Sequence, residues 1–132
     1  MTPLEMAREF SLVMGQPVDH PPEEVLLALR LRLISEECRE VEEAIGVLDD
    51  EIPEGVYLDT AQQDVAKELA DLVYVIYGMA ATFGIDIDEA VRRVHASNMS
   101  KLGDDGKPIY RADGKVTKSN NYQPPDMRGL WS

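Results

Sequence analysis

The 132-residue chain of 14.7 kDa has room for one domain, in which roughly two thirds of the unfolded surface can be buried. Twenty-five acids against thirteen lysines and arginines leave a net charge of −12, which argues against docking on nucleic-acid or membrane phosphates unless cations intervene. A single cysteine, Cys38, excludes an internal disulfide and fits a reducing cytoplasm, and no apolar run approaches the ~20 residues of a membrane span.

The N-terminal text MTPLEMAREF carries acids where a signal peptide needs an uninterrupted apolar stretch. Instead it opens a helix: Thr2 is a cap, Pro3 suits the first helical position, and Glu5 completes a capping box. This helix is expected from Pro3 to Met14 and ends at Gly15. The segment QPVDHPP is too proline-rich to continue it. Phe10, at a helical apolar position, is expected in the core.

A long second helix is predicted over Glu23 to Leu48, where Leu27, Leu31, Ile34, Cys38, Val41, Ile45 and Leu48 recur at steps of four and three. In that register Cys38 is expected to be buried. The segment DDEIPEGVYLDT breaks the pattern, which resumes near Ala61 and runs to Phe83, with Gly84 as the stop. Asp86 and Glu89 start a fourth helix expected over residues 87 to 102, with His95 partly buried on it. Two Asp-Gly turn signals then mark a small hairpin or ordered tail over residues 103–132, near whose end Trp131 is an anchor candidate. The chain thus reads as one all-α domain, 1–132: an antiparallel bundle of about four helices with a short C-terminal hairpin. One copy leaves its long apolar seams poorly covered, so a homodimer or higher oligomer is expected.

The acids do not scatter evenly. Leu26, Arg30, Leu33, Glu37, Glu40 and Ala44 form a second seam on helix two, interrupted by two glutamates, with Glu36 at its outer rim. On helix three, Ala61, Val65, Glu68, Leu72, Val75 and Met79 form a seam with one carboxylate in its middle, bordered by Asp71. Antiparallel packing lets Glu37 and Glu40 face Glu68 and Asp71. Four such carboxylates repel one another and persist mainly when a cation neutralises them. An all-oxygen set suits Mg²⁺ or Mn²⁺. Most charge runs are solvated helix faces, and that account is preferred for Glu42, Glu43, Asp49, Asp50 and Glu51; for Glu37, Glu40 and Glu68 spacing alone leaves both accounts open. A di-iron site is disfavoured, because neither His20 nor His95 lies three residues after a glutamate.

The order Glu36-Glu37-x-x-Glu40, a gap of 27 residues, Glu68-x-x-Asp71, and then Asn98 and Lys101 resembles the all-α nucleoside triphosphate pyrophosphohydrolases, which include MazG-like proteins, dimeric dUTPases and phosphoribosyl-ATP pyrophosphohydrolases. The resemblance extends through KELADLVYVIYGMAATFGI and NMSK. It implies hydrolysis between the α and β phosphates of a nucleoside triphosphate, with dUTP as leading substrate and a monophosphate and pyrophosphate as products. It further implies Glu37, Glu40, Glu68 and Asp71 as ligands of Mg²⁺, Glu36 as the base that orients water, and Asn98 and Lys101 as nucleotide contacts.

Lys118 and Tyr122, with Arg111 and Lys115, supply cations and a ring able to close over a triphosphate, although a basic surface hairpin explains them equally well. Two rivals stand beside the dUTPase-like reading. One is a pyrophosphohydrolase of broader dNTP or modified-nucleotide preference; the other is an acidic bundle that binds metal or a partner protein without turnover.

Overall fold

A computed structural model describes residues 1–55 and 58–131. In chain order the elements are α1 (Pro3–Val13), α2 (Glu24–Glu51), α3 (Leu58–Phe83), α4 (Ile87–Met99) and two short strands, β1 (Ile109–Tyr110) and β2 (Val116–Thr117). The fold is an all-α helical bundle. It divides into two compact units, residues 1–85 and residues 86–132.

In the first unit the capping box forms as the sequence predicts: the Glu5 N–H donates to Thr2 Oγ1 at 3.2 Å and the Thr2 N–H to Glu5 Oε2 at 2.6 Å. After α1 the chain turns through Gly15, at φ +69°, and runs over the end of α3. There the N–H groups of Asp19 and His20 donate to the carbonyls of Ala81 and Thr82, at 3.0 and 2.7 Å. Those carbonyls belong to the last turn of α3 and have no partner within their own helix, so the crossing segment caps it. Arg8 of α1 grips Asp19 through two hydrogen bonds of 2.8 Å, tying α1 to the same crossing.

Helix α2 starts at Glu24 and continues to Glu51, three residues past the expected Leu48. Asp49 and Asp50 do not break it; Ile52 is still helical at φ −55° and ψ −50°, and the stop comes from Pro53, which has no N–H to continue the ladder, and from Gly55 in the left-handed region at φ +64°. Residues 56 and 57 of the expected break lie outside the described residues, and α3 resumes at Leu58, earlier than the expected Ala61. Helices α2 and α3 run antiparallel, with Ala44 and Val47 opposite Ala61 at one end and Arg30 against Gly78 at the other.

Two expectations about the core are corrected. The inward face of α2 takes Leu26, Arg30, Leu33 and Glu37 together with Leu27, Ile34, Val41 and Leu48 of the expected apolar seam, while Leu31 (66% exposed), Cys38 and Ile45 (48%) of that seam face outward. Within its unit α2 packs mainly along α3, so a limited strip is covered and its flank is left open. Phe10 is not a core residue either: it is 40% exposed and meets the Tyr74 ring edge to face at 5.8 Å. The buried centre is built from small side chains, Ala7, Ser11, Ala61, Ala80, Ala81 and Thr82, together with Phe83.

In the second unit Asp86 caps α4 by accepting the Glu89 N–H at 3.1 Å. Helix α4 ends at Met99, short of the expected residue 102, because the tail ties down its last turn. Ser97 Oγ donates to the Gln123 carbonyl at 2.7 Å, and the Gln123 N–H donates to Ser100 Oγ at 2.8 Å. Arg93 holds the same tail through the carbonyls of Asp126 and Arg128. His95 is exposed rather than partly buried, and Leu130 is the buried residue near the tail's end while Trp131 stays 44% exposed. Both Asp-Gly signals form turns. Asp113-Gly114 joins β1 to β2 with Ile109 opposite Thr117 and Tyr110 opposite Val116, and Gly114 adopts φ +84°.

Candidate active site

The i, i+3 spacing on each of two antiparallel helices brings Glu37, Glu40, Glu68 and Asp71 together, with one carboxylate oxygen of each within 4.8 Å of the others. Among the described residues Glu37 Oε2 and Glu68 Oε2 are buried without a hydrogen-bond partner, as is Glu51 Oε2 at the end of α2, where a solvated acid was expected. A polar atom left so costs about 1–3 kcal/mol, more for a charged one, so two orphaned oxygens aimed into one cluster call for a cation. The donors are all hard oxygens, which fits a divalent ion of the Mg²⁺ or Mn²⁺ type. The strain of this crowding is visible at Glu40. Its carboxyl is held above the usual carboxylate pKa, first by a hydrogen bond shared with Glu68 and then by the negative charges of Glu37 and Glu68. Lys67 Nζ offsets part of the charge, lying 2.7 Å from Asp71 and 3.4 Å from Glu68, and these two acids raise the lysine pKa in turn.

A cavity opens on each side of the cluster. One, of about 350 Å³, is bounded by Glu37 and Asp71 at the cluster and by Phe10, Tyr74, Arg30 and Gly78 beyond it. Its size lies at the low end of small-molecule sites, about 300–1,000 Å³. The other, of about 430 Å³, is acidic: Glu40, Glu43, Asp64 and Glu68 line it with Ala44 and Val47.

Residues 7–98, which include α2, α3 and both acid pairs, match the model of the phosphoribosyl-ATP pyrophosphohydrolase family. The chain belongs to this family. It is therefore a pyrophosphohydrolase of a nucleotide-like substrate, within the MazG-like all-α superfamily that the two acid pairs resemble. No curated protein matches the chain.

Within this pyrophosphohydrolase the residues expected to act together are only partly gathered. Glu37, Glu40, Glu68 and Asp71 meet as the wheel requires. Glu36 stands outside the cluster, exposed on α2 beside Glu37. Glu42 and Glu43 are solvated as expected, and Glu43 also borders the acidic cavity. The other four lie in the second unit. Asn98 is exposed in the last turn of α4, and Lys101 follows the end of the helix rather than lying on it. Lys118 Nζ sits 4.4 Å from the centre of the Tyr122 ring, a cation–π contact. The family match ends at Asn98, so Lys101, Lys118 and Tyr122 fall beyond it.

Of the residues that line the first cavity, spacing picks out Glu37 and Asp71 but gives Arg30 no role, and it leaves Phe10, which could stack on a base, more readily explained as core. The usable signal was Arg30 itself, a cation in the register of Glu37 two turns earlier on the face that turns inward.

Proposed function

We propose that this chain is a Mg²⁺-dependent nucleoside triphosphate pyrophosphohydrolase that cleaves between the α and β phosphates, with dUTP as leading substrate, and removes surplus or non-standard nucleotides in the cytoplasm. The observation that carries the proposal is the pair of orphaned oxygens, Glu37 Oε2 and Glu68 Oε2, in a four-carboxylate cluster that borders a cavity of nucleoside size. Glu37, Glu40, Glu68 and Asp71 would hold the ion, with Mn²⁺ able to replace Mg²⁺. When bound, such an ion neutralises phosphate charge and stabilises the leaving pyrophosphate.

The chain's own residues then have separate tasks. Glu36, exposed beside the ligand Glu37, accepts the proton of the attacking water. Asn98, Lys101, Lys118 and Tyr122 contact the nucleotide or its phosphates. The family match crosses the division between the two units, which supports reading residues 1–132 as one catalytic domain.

A homodimer, or a higher oligomer of the same chain, forms part of the proposal. Leu69, Val73 and Ile76 lie at helical spacing on α3 and are 46, 46 and 36% exposed, next to an apolar groove lined also by Pro3 and Met6 of α1. A second copy would cover them.

The family's own substrate supplies a second reading, in which phosphoribosyl-ATP is the nucleotide cleaved. A panel of canonical and modified nucleotides that includes phosphoribosyl-ATP, incubated with Mg²⁺ or Mn²⁺ and resolved by product, tests both. Monophosphate plus pyrophosphate from dUTP is the expected result. Diphosphate plus phosphate contradicts the proposed cleavage, and preferential turnover of phosphoribosyl-ATP replaces the first substrate with the second. A wild type inert toward the whole panel favours a metal- or partner-binding bundle instead.

A further inference from the structure

Arg30 is 7% exposed, and burial lowers its pKa, yet it has no carboxylate partner among the described residues. Its hydrogen bond is a long one, from Nη2 to Gln16 Oε1 at 3.5 Å. A guanidinium carries five donors, and burying it with most of them unused is costly unless something else accepts them. The room for it is made on α3: a Cβ on Gly78 would lie 2.9 Å from Arg30 Nη1. The side chain opens onto the 350 Å³ cavity that Glu37 and Asp71 close at the other end.

Distance decides what Arg30 could meet. It precedes Glu37 by seven residues, two turns or about 10.5 Å along α2. A phosphate held at the carboxylates lies about two turns from Arg30, which leaves the base of the same nucleotide to fill the Arg30 end of the cavity. Phe10 and Tyr74 wall the space between, both about two-fifths exposed, and offer aromatic surface to a planar ring.

We propose that Arg30 is the specificity-determining residue of this cavity and selects bases with a carbonyl oxygen at pyrimidine C4 or purine C6 over bases with an amino group there. The inference rests on the proposed nucleotide hydrolysis and adds the class of base: uracil, thymine, guanine and hypoxanthine are accepted, cytosine and adenine rejected. The physical cause is donor against donor. A carbonyl oxygen takes hydrogen bonds from the guanidinium, while an exocyclic amino group presents N–H bonds to a group that can only donate. A site built around a buried polar group discriminates strongly, because the wrong ligand leaves that group unpaired. On this account the adenine ring of phosphoribosyl-ATP is a poor fit.

The test uses two pairs that differ mainly in that one substituent, dUTP against dCTP and dITP against dATP. Turnover with Mg²⁺ is measured for the wild type, Arg30→Met and Gly78→Ala. Binding of the four corresponding monophosphates to the metal-free protein is measured alongside. The wild type should favour the oxo member of each pair by roughly a hundredfold or more in kcat/KM. Arg30→Met should bring that ratio below about tenfold, chiefly through a higher KM for the oxo substrate. Gly78→Ala, which keeps the charge but displaces the guanidinium, should do the same and serves if Arg30→Met does not fold. Equal turnover of both members by the wild type overturns the role of Arg30, as does a ratio that survives in the variants, or a loss equal for all four substrates. An absence of both turnover and monophosphate binding overturns the proposed hydrolysis together with this inference.

Discussion

Lys67 is the cation that the chain itself supplies to the cluster, through Asp71 at 2.7 Å and Glu68 at 3.4 Å, but it is exposed and its hold is weak. A divalent ion taking those two carboxylates has to displace it. Lys67→Met should therefore tighten Mg²⁺ binding several-fold in a calorimetric titration; weaker binding would mean that the lysine positions the ligands instead. The two orphaned oxygens make an opposite pair of predictions for Glu37→Gln and Glu68→Gln. Each should abolish pyrophosphate release, while the metal-free protein keeps its helical circular dichroism and melts no lower than the wild type, because one member of a mutually repelling set has been neutralised. Turnover unchanged in either variant would remove that residue from the site.

At the scale of elements, the crossing segment that caps α3 and binds α1 depends on Asp19. The Arg8 guanidinium holds the Asp19 carboxyl below its ordinary pKa, first by hydrogen bonding and then by charge. A carboxyl with a depressed folded-state pKa stabilises the fold above its unfolded value, near 4, and loses that contribution as pH falls through the folded value. Asp19→Asn should accordingly lower the melting temperature slightly at pH 7, and the difference should shrink as pH falls below about 4; a constant difference from pH 7 into the acid range would contradict the linkage. The helices themselves were legible because caps and heptad spacing are local signals: Thr2-Pro3-Glu5 and Asp86-Glu89 form the caps their sequences announce. The end of α4 was not, since it is set by Ser97 and Ser100 binding Gln123, more than twenty residues away. Which members of the two adjacent seams of α2 are covered was equally hidden. Spacing gives both, and only the number of helices available to cover them decides that Leu31, Cys38 and Ile45 stay outside. The four carboxylates could be placed because Glu40 stands eleven residues before the end of α2 and Glu68 ten after the start of α3, so antiparallel packing across the short loop sets the pairs opposite, but the cavity beside them needed α1 against α3, which no periodicity specifies.

At the scale of the whole molecule, the exposed apolar residues of α3 predict self-association. Light scattering or sedimentation should return at least twice the 14.7 kDa chain mass. Charge substitution at Val73 should dissociate the assembly, and a wild type that is monomeric at full activity would refute the proposed oligomer. The central claim lies elsewhere, in the dependence of pyrophosphohydrolysis on a divalent ion held by Glu37, Glu40, Glu68 and Asp71. Titration of Mn²⁺ into the wild type and Glu68→Gln, followed by electron paramagnetic resonance, tests it most directly. The account predicts saturable binding to the wild type that Mg²⁺ displaces, lost in Glu68→Gln together with pyrophosphate release; undiminished binding in that variant, or a wild type that releases pyrophosphate without binding the ion, would contradict it.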